Sequence, residues 1–256
     1  MIYNLNLLRS MLYTCAVLTI LTMAGAAQAD GDSLSCPVTY KQLQSALGAA
    51  DTDDTSGFNN HFWAVVVNRG GVVCAVAFSG GSTGSQWLAS RQIAAAKAFT
   101  ANGLSLDIPK NPFPGTGGLG ALSTAQLYQF VQPDNANVGN PLFGLDGGNV
   151  MNSMGAYHGD YASFGKANDP MIGQRVGGTI TFGGGLALYN NTTVVGGIGL
   201  SGDTACADHS VAWRTRFKLG LQQPSPTDQL PFASDPAQPN GHPHCPNDTN
   251  TQGVAK

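Results

Sequence analysis

Gly177-Gly178-Thr179-Ile180-Thr181-Phe182-Gly183-Gly184-Gly185, followed after a short apolar run by Val194-Val195-Gly196-Gly197-Ile198-Gly199-Leu200-Ser201-Gly202-Asp203, interleaves β-formers with glycine clusters. Glycine in a strand has no side chain to pack and marks a place where another backbone or a ligand approaches closely. The segment predicts strands over Gly178 to Phe182, Leu186 to Tyr189 and Thr193 to Leu200, with Asn190-Asn191 suited to the positive φ of a tight hairpin turn. A helix capped by Ser201 or Asp203 should then run to about Leu219. Toward the N-terminus, Phe62 to Asn68 and Val72 to Phe78 flank Arg69-Gly70-Gly71, a second hairpin signal. Thr39 and Gln42 form a capping box and Val38 with Leu43 its hydrophobic staple, which starts a helix over Tyr40 to Ala50. Gln86 to Asn102 predicts another helix, with Trp87, Ala94, Ala98 and Phe99 inward, Arg91, Gln92 and Lys97 on its polar side and Gly103 as its stop. A short helix follows at Thr124 to Val131. Two hairpins with few helices between them favour an α+β domain, an antiparallel sheet packed by helices, over a doubly wound parallel sheet.

Several functions are disfavoured at once. The chain has 256 residues, 42% hydrophobic and 11% charged, which describes one globular domain. It contains no Glu and has a formal charge of -3 without a basic run, so nucleic acid is not an expected partner. Gly197-Ile198-Gly199-Leu200-Ser201-Gly202 satisfies G-x-G-x-x-G, but the hairpin before it argues against a βαβ unit and hence against a dinucleotide site. Gly199, Ser201 and Gly202 still expose backbone N–H groups at a helix start, an anion site that Asp203 would oppose. Asp51, Asp53 and Thr55 resemble a calcium loop, yet its twelfth position is Phe62. No G-x-S-x-G elbow exists, and Ser201, Asp203 and His209 lie too close along one turn and helix to read as a triad. No catalytic residue is legible, and the enzyme question stays open.

Residues 1–29 read as a signal peptide, with Arg9 before the apolar run Met11 to Ala24 and Ala27-Gln28-Ala29 at the cleavage site. The run is shorter than the ~20 residues needed to cross a bilayer, so the mature chain is expected to be periplasmic or secreted, without a membrane span. A domain over 30–221 carries an insertion-like stretch at about 105–172 and is followed by a Pro-rich tail, 222–256. That tail holds seven of the fourteen prolines and few apolar groups, so it should neither form regular structure nor adhere by burial. The mature chain keeps Cys36, Cys74, Cys206 and Cys245, which permit three pairings. A staple from Cys245 to Cys206 would hold the tail, leaving Cys36 and Cys74 paired or as free thiols. Cys74 also reads as a small buried side chain of its strand. Asn190, Asn191 and Asn247 match the glycosylation pattern.

Three stretches together resemble the GlcG/HbpS-like haem-binding family, which includes the C-terminal domain of PduO-type proteins. They are Ala64-Val65-Val66-Val67-Asn68-Arg69-Gly70-Gly71, then Ser90-Arg91-Gln92-Ile93-Ala94-Ala95-Ala96-Lys97-Ala98-Phe99-Thr100, and the glycine-rich segment above. The resemblance spans roughly 36 to 220, interrupted by 105–172. It implies a profilin-like three-layer domain with helices on both faces of the sheet, assembly into homo-oligomers, and binding of haem or a related tetrapyrrole. It also implies a role in haem capture, storage or sensing. The alternatives are an enzyme on the same scaffold, degrading haem or acting on a small metabolite, and a non-catalytic structural oligomer.

The family motifs are structural glycines and transfer no axial ligand, so ligands must come from the residues themselves. Haem calls for an iron ligand, an apolar slot and often a cation near the propionates. His209, at i+3 from Cys206, is the candidate for haem iron, with a thiolate–imidazole metal pair as its variant if Cys206 is reduced. Arg91 and Lys97, with the same question open for Arg214 and Arg216, are candidates for the propionates. Gly184, Gly185, Ser201 and Gly202 offer backbone to a ligand. His61 reads as an edge residue and His242 and His244 as loop histidines able to catch copper or haem. His158, near Tyr157 and Tyr161, gives an alternative haem-contact cluster.

Overall fold

The structure is a computed structural model and describes residues 35–108, 120–132, 143–144, 151–224, 226–232 and 241–247. The signal-peptide reading of residues 1–29 lies outside the described residues.

Local signals at the N-terminal side act as expected. Helix α1 spans Tyr40–Thr52; the Thr39 hydroxyl accepts from the Gln42 N–H while the Gln42 side chain accepts from the Thr39 N–H. Val38 and Leu43 are buried in one core cluster, as the staple requires. Strands β1 (Trp63–Asn68) and β2 (Val73–Phe78) pair antiparallel around a turn in which Gly71 takes φ +77°. Helix α2 runs over Leu88–Leu104 and α3 over Thr124–Val131, the latter with a second capping box from Ser123 and Gln126. A short helix α4, Ser153–Tyr157, precedes β3 (Gly185–Asn190) and β4 (Thr193–Ser201), whose hairpin turn holds Asn191 at φ 55°. Helix α5, Ala205–Leu219, stops at Gly220, whose φ of 68° lets its N–H close onto the last turn.

The four strands form one antiparallel sheet in the order β2-β1-β4-β3. Every residue of β1 is buried, because both faces of this central strand are covered. Ala64, Val66, Ile198 and Leu200 meet α1 and α5 on one face, while Trp63, Val65 and Val67 meet α2 and the segment reaching Val176 on the other. The fold is therefore the α+β, three-layer arrangement. Fully burying one such Val or Leu side chain contributes about 1.5–3 kcal/mol, so the double cover is the main stabilising term. Gly197 and Gly199 set its spacing: a Cβ would lie 2.2 Å from the Ala98 carbonyl oxygen at Gly197 and 2.0 Å from that of Ala94 at Gly199. Helix α2 thus rests on the bare backbone of β4.

Several expectations fail for identifiable reasons. Gly178 to Phe182 is not a strand. The free edge of β3 is already occupied by the Thr124 hydroxyl on the Gly185 N–H, the Arg216 guanidinium on the Ala187 carbonyl and the Leu221 carbonyl on the Tyr189 N–H. The segment instead crosses α2, where Thr100 Oγ1 accepts from the Ile180 N–H. Gly103 does not stop α2, which continues to Leu104, and Trp87 points outward, 64% exposed. The cap of α5 is Thr204, not Ser201 or Asp203; the Asp203 carboxylate holds the N–H groups of Phe58 and Asn60. The Asp51–Thr55 stretch is no calcium loop: Asp53 pairs with Lys218 and Asp54 with Arg214.

Both disulfides form, Cys36–Cys74 and Cys206–Cys245. The tail, however, does adhere by burial, since Leu230, Phe232 and Cys245 pack with Ala125 and Cys206.

Candidate functional site

The glycine-rich bend at Gly183–Gly185, the middle of α2, the start of α5 and the tail converge on one interior polar cluster. Lys97, fully buried, donates from Nζ to Asp208 Oδ2 at 2.6 Å and to the Leu200 carbonyl at 2.9 Å, and lies 4.9 Å above the Phe182 ring. Asp208 Oδ1 accepts the Gly202 and Asp203 N–H groups at 2.9 and 3.0 Å. The anion site expected at this helix start is thus filled by the chain's own carboxylate. Burial pushes Asp208 up to about 6 against the pull of Lys97 and the two N–H groups, and it lowers Lys97 in turn. Gly184 takes φ +117°, and a Cβ there would lie 2.4 Å from the Leu200 carbonyl oxygen, so the bend requires glycine on both counts.

The other candidate cations are equally engaged. Arg91 is buried, forks onto both Asp169 oxygens, donates to the Ala156 carbonyl and lies 3.9 Å over the Phe164 ring. Asp169 also accepts the Gly165 and Met171 N–H groups. Arg216 holds Asp228 of the tail through both its terminal nitrogens, and Arg214 holds Asp54. These pairings explain why Lys97, Arg91 and Arg216, at positions that look solvated on a helical wheel, are interior, while Arg214 is half-buried: each cation meets an aspartate from another segment.

His209 is fully buried, and neither ring nitrogen has a hydrogen-bond partner among the described residues. Burial holds its pKa down at about 3. Cys206 is oxidised, so no thiolate stands beside it. His242 is 1% exposed; its Nε2 accepts the Gly183 N–H at 3.1 Å, which places the proton on Nδ1 toward the Pro243 carbonyl, and burial lowers it to about 4. His244 stacks on Phe232, His158 is exposed with Nδ1 3.1 Å from the Gly155 carbonyl, and His61 lies 3.7 Å from Asp51. No group of three or more metal-binding side chains occurs among the described residues.

Among the clefts formed by the described residues, two are the more capacious. One of about 830 Å³ lies between α5 and the tail, with Trp213 and Phe217 as walls and Arg214 and Lys218 at its rim; among the described residues its lining has no His, Cys, Met or Tyr. The other, of about 520 Å³, lies between α1, the end of β2 and the turn from Tyr161 to Lys166. Of this second lining, Tyr161 was legible in the sequence as part of a haem-contact cluster. Tyr40, Gln44 and Phe78 carried no signal, because an ordinary amphipathic helix and strand supply them.

The family model described as "Haem degrading protein HbpS-like" matches residues 39–215, from the cap of α1 to the last turns of α5. Among solved structures, the chain is similar to the Klebsiella pneumoniae protein ORFY of family model DUF336, at 22% identity and a TM-score of 0.43, over 70% of this chain and 86% of that one. It is also similar to a structure described as a PduOC:heme complex, at 20% identity and a TM-score of 0.43, over 70% of this chain and 89% of that one. Comparison with curated proteins finds no match.

Proposed function

The chain belongs to the HbpS-like family, and from that membership we propose that it is an exported protein that binds haem or a related tetrapyrrole, in capture, storage or sensing. The observation that carries this is the extent of the match, which runs from the cap of α1 through the sheet into α5 rather than over one motif. Two disulfides support an oxidising compartment. Among the described residues no helix is long and apolar enough to cross a membrane. As the chain is folded, the interior cluster around His209 does not suit an external macrocycle: its cations hold aspartates and its imidazole has no solvent face. Haem would supply an iron centre and two carboxylates, and the chain must meet these with a donor atom and a cation that solvent can reach.

Ferric haem titrated into the mature protein should give a saturable Soret shift at micromolar concentrations. An assembled oligomer whose spectrum never shifts would replace this reading with that of a structural oligomer. N-terminal sequencing of the exported protein should begin at Asp30; retention of residues 1–29 would remove the export proposal. The family description also favours a second reading, haem degradation. Reductant and oxygen added to the complex should then bleach the Soret band to a defined product, and an unchanged band would exclude turnover.

A further inference from the structure

We propose that Cys206, His209, His242 and Cys245 are the ligands of a Zn²⁺ site that forms when the Cys206–Cys245 disulfide is reduced. The site stands apart from the haem reading. Helix α5 carries Cys-x-x-His at 206–209, and the tail carries the reversed order, His-x-x-Cys, at 242–245. Their disulfide sets these two pairs against each other. A spacing of three on a helix puts Cys206 and His209 on one face. Two sulfurs and two imidazole nitrogens are a donor set of structural zinc. The tail half lies beyond the family match, which ends at residue 215, so membership of the family does not imply the site.

The state of the imidazoles is an independent observation. His209 is fully buried, and both its ring nitrogens are unpartnered among the described residues. A buried polar group left in that state costs free energy, which a metal bond would offset. His242 is oriented as a zinc-binding histidine is: Nδ1 faces the Pro243 carbonyl at 2.9 Å, which leaves the lone pair on Nε2, where it takes the Gly183 N–H at 3.1 Å. Gly183 links the two rings, since a Cβ on it would lie 3.0 Å from His209 Cβ. Trp213 packs 6.2 Å from the His209 ring and Tyr128 5.1 Å from that of His242. A bare ion needs no slot open to solvent, so the enclosure that turns a macrocycle away suits it.

In the oxidised chain the sulfurs are bonded to each other, and no group of three or more metal ligands is assembled among the described residues. A dithiol reductant gives the disulfide two electrons and two protons, becomes a disulfide itself and leaves two thiols. Zn²⁺ then displaces both protons to solvent. Arg216 on Asp228 and the packing of Phe232 keep the tail on α5 meanwhile. Zinc takes each sulfur at about 2.3 Å, so thiolates held side by side stay within its reach. Exposed Pro243, His244, Pro246 and Asn247 flank Cys245, so a small opening of this turn admits reductant and ion.

The test titrates Zn²⁺, in competition with a chromophoric chelator, into the full mature protein, oxidised or reduced by a dithiol that is then removed; Co²⁺ serves as the spectroscopic probe. Expected are one Zn²⁺ per reduced chain, none on the oxidised chain, and a tetrahedral Co²⁺ spectrum with thiolate charge transfer. His209→Gln and His242→Gln should each bind at least about 100-fold more weakly and alter the cobalt bands, since even an outer-shell partner is worth about 10–100-fold. The Cys206→Ser, Cys245→Ser double variant, which keeps Cys36 and Cys74, should bind none. Alkylation of the reduced wild type needs no variant: Zn²⁺ should protect Cys206 and Cys245 and leave Cys36 and Cys74 reactive. A reduced wild type that takes up no Zn²⁺ would overturn the site. So would alkylation of Cys206 and Cys245 unchanged by the ion, or histidine variants that keep the wild-type affinity and cobalt spectrum.

Discussion

His209 and His242 are held neutral in the interior, one on α5 and one in the tail, with pKa values down at about 3 and about 4 through burial. Below their ordinary 6.5 the unfolded chain takes up protons that the folded chain refuses, so stability falls as pH drops from about 6.5 toward 4, by about 1.4 kcal/mol per pH unit for each histidine. Asp208 works in the opposite sense: raised to about 6, it keeps a proton in the folded state that the unfolded state releases between about 4 and 6. Two protons against one leave a net loss in acid. Urea midpoints should therefore be lower at about pH 5 than at about pH 7, and His242→Gln should shrink the difference; equal losses in the two proteins would show that His242 is not buried neutral. His209 and the cations were legible as residue types at promising spacings. Their state was not. Arg91 meets an aspartate 78 residues away and Lys97 one 111 residues away, and no local pattern announces either.

Between elements, the seam of α2 on β4 is the most constrained contact. Gly199→Ala would drive a methyl to within 2.0 Å of the Ala94 carbonyl oxygen and 2.5 Å of the Ala98 nitrogen, so the helix must lift from the strand. A loss of about 3 kcal/mol in urea denaturation is expected, the upper range for overpacking. Gly103, inside the same helix with nothing near its Cβ position, should behave in reverse. Gly103→Ala is expected to stabilise by about 0.5–1 kcal/mol through helix propensity, and destabilisation there would mean that the last turn of α2 is misplaced. Both hairpins and the start of α1 were readable because turn and cap chemistry acts within a few residues. The segment over Gly178 to Phe182 was misread because strand propensity cannot tell whether an edge is vacant. The edge of β3 is filled by α3, α5 and the residues after it.

For the whole molecule, the tail shows how covalent and non-covalent ties combine. Cys206–Cys245 closes a loop of sequence separation 39, and the Cys206→Ser, Cys245→Ser double variant should lose about 2–4 kcal/mol. Because Arg216 still holds Asp228 and Phe232 remains packed, chymotrypsin should cut the tail only when Asp228→Asn is added. Immediate cleavage at Phe232 in the double variant would show that the disulfide alone holds it. Sequence by itself determined the strands of both ribbons, the start of α1 and the glycine seam, since each follows from side-chain shape, spacing of apolar residues and backbone freedom over short stretches. Tertiary structure alone decided which of three cysteine pairings forms, which cations are neutralised, and that Tyr40, Gln44, Phe78 and Tyr161 share one cleft. Those outcomes depend on groups far apart in the chain, and their proximity exists only after the layers have packed.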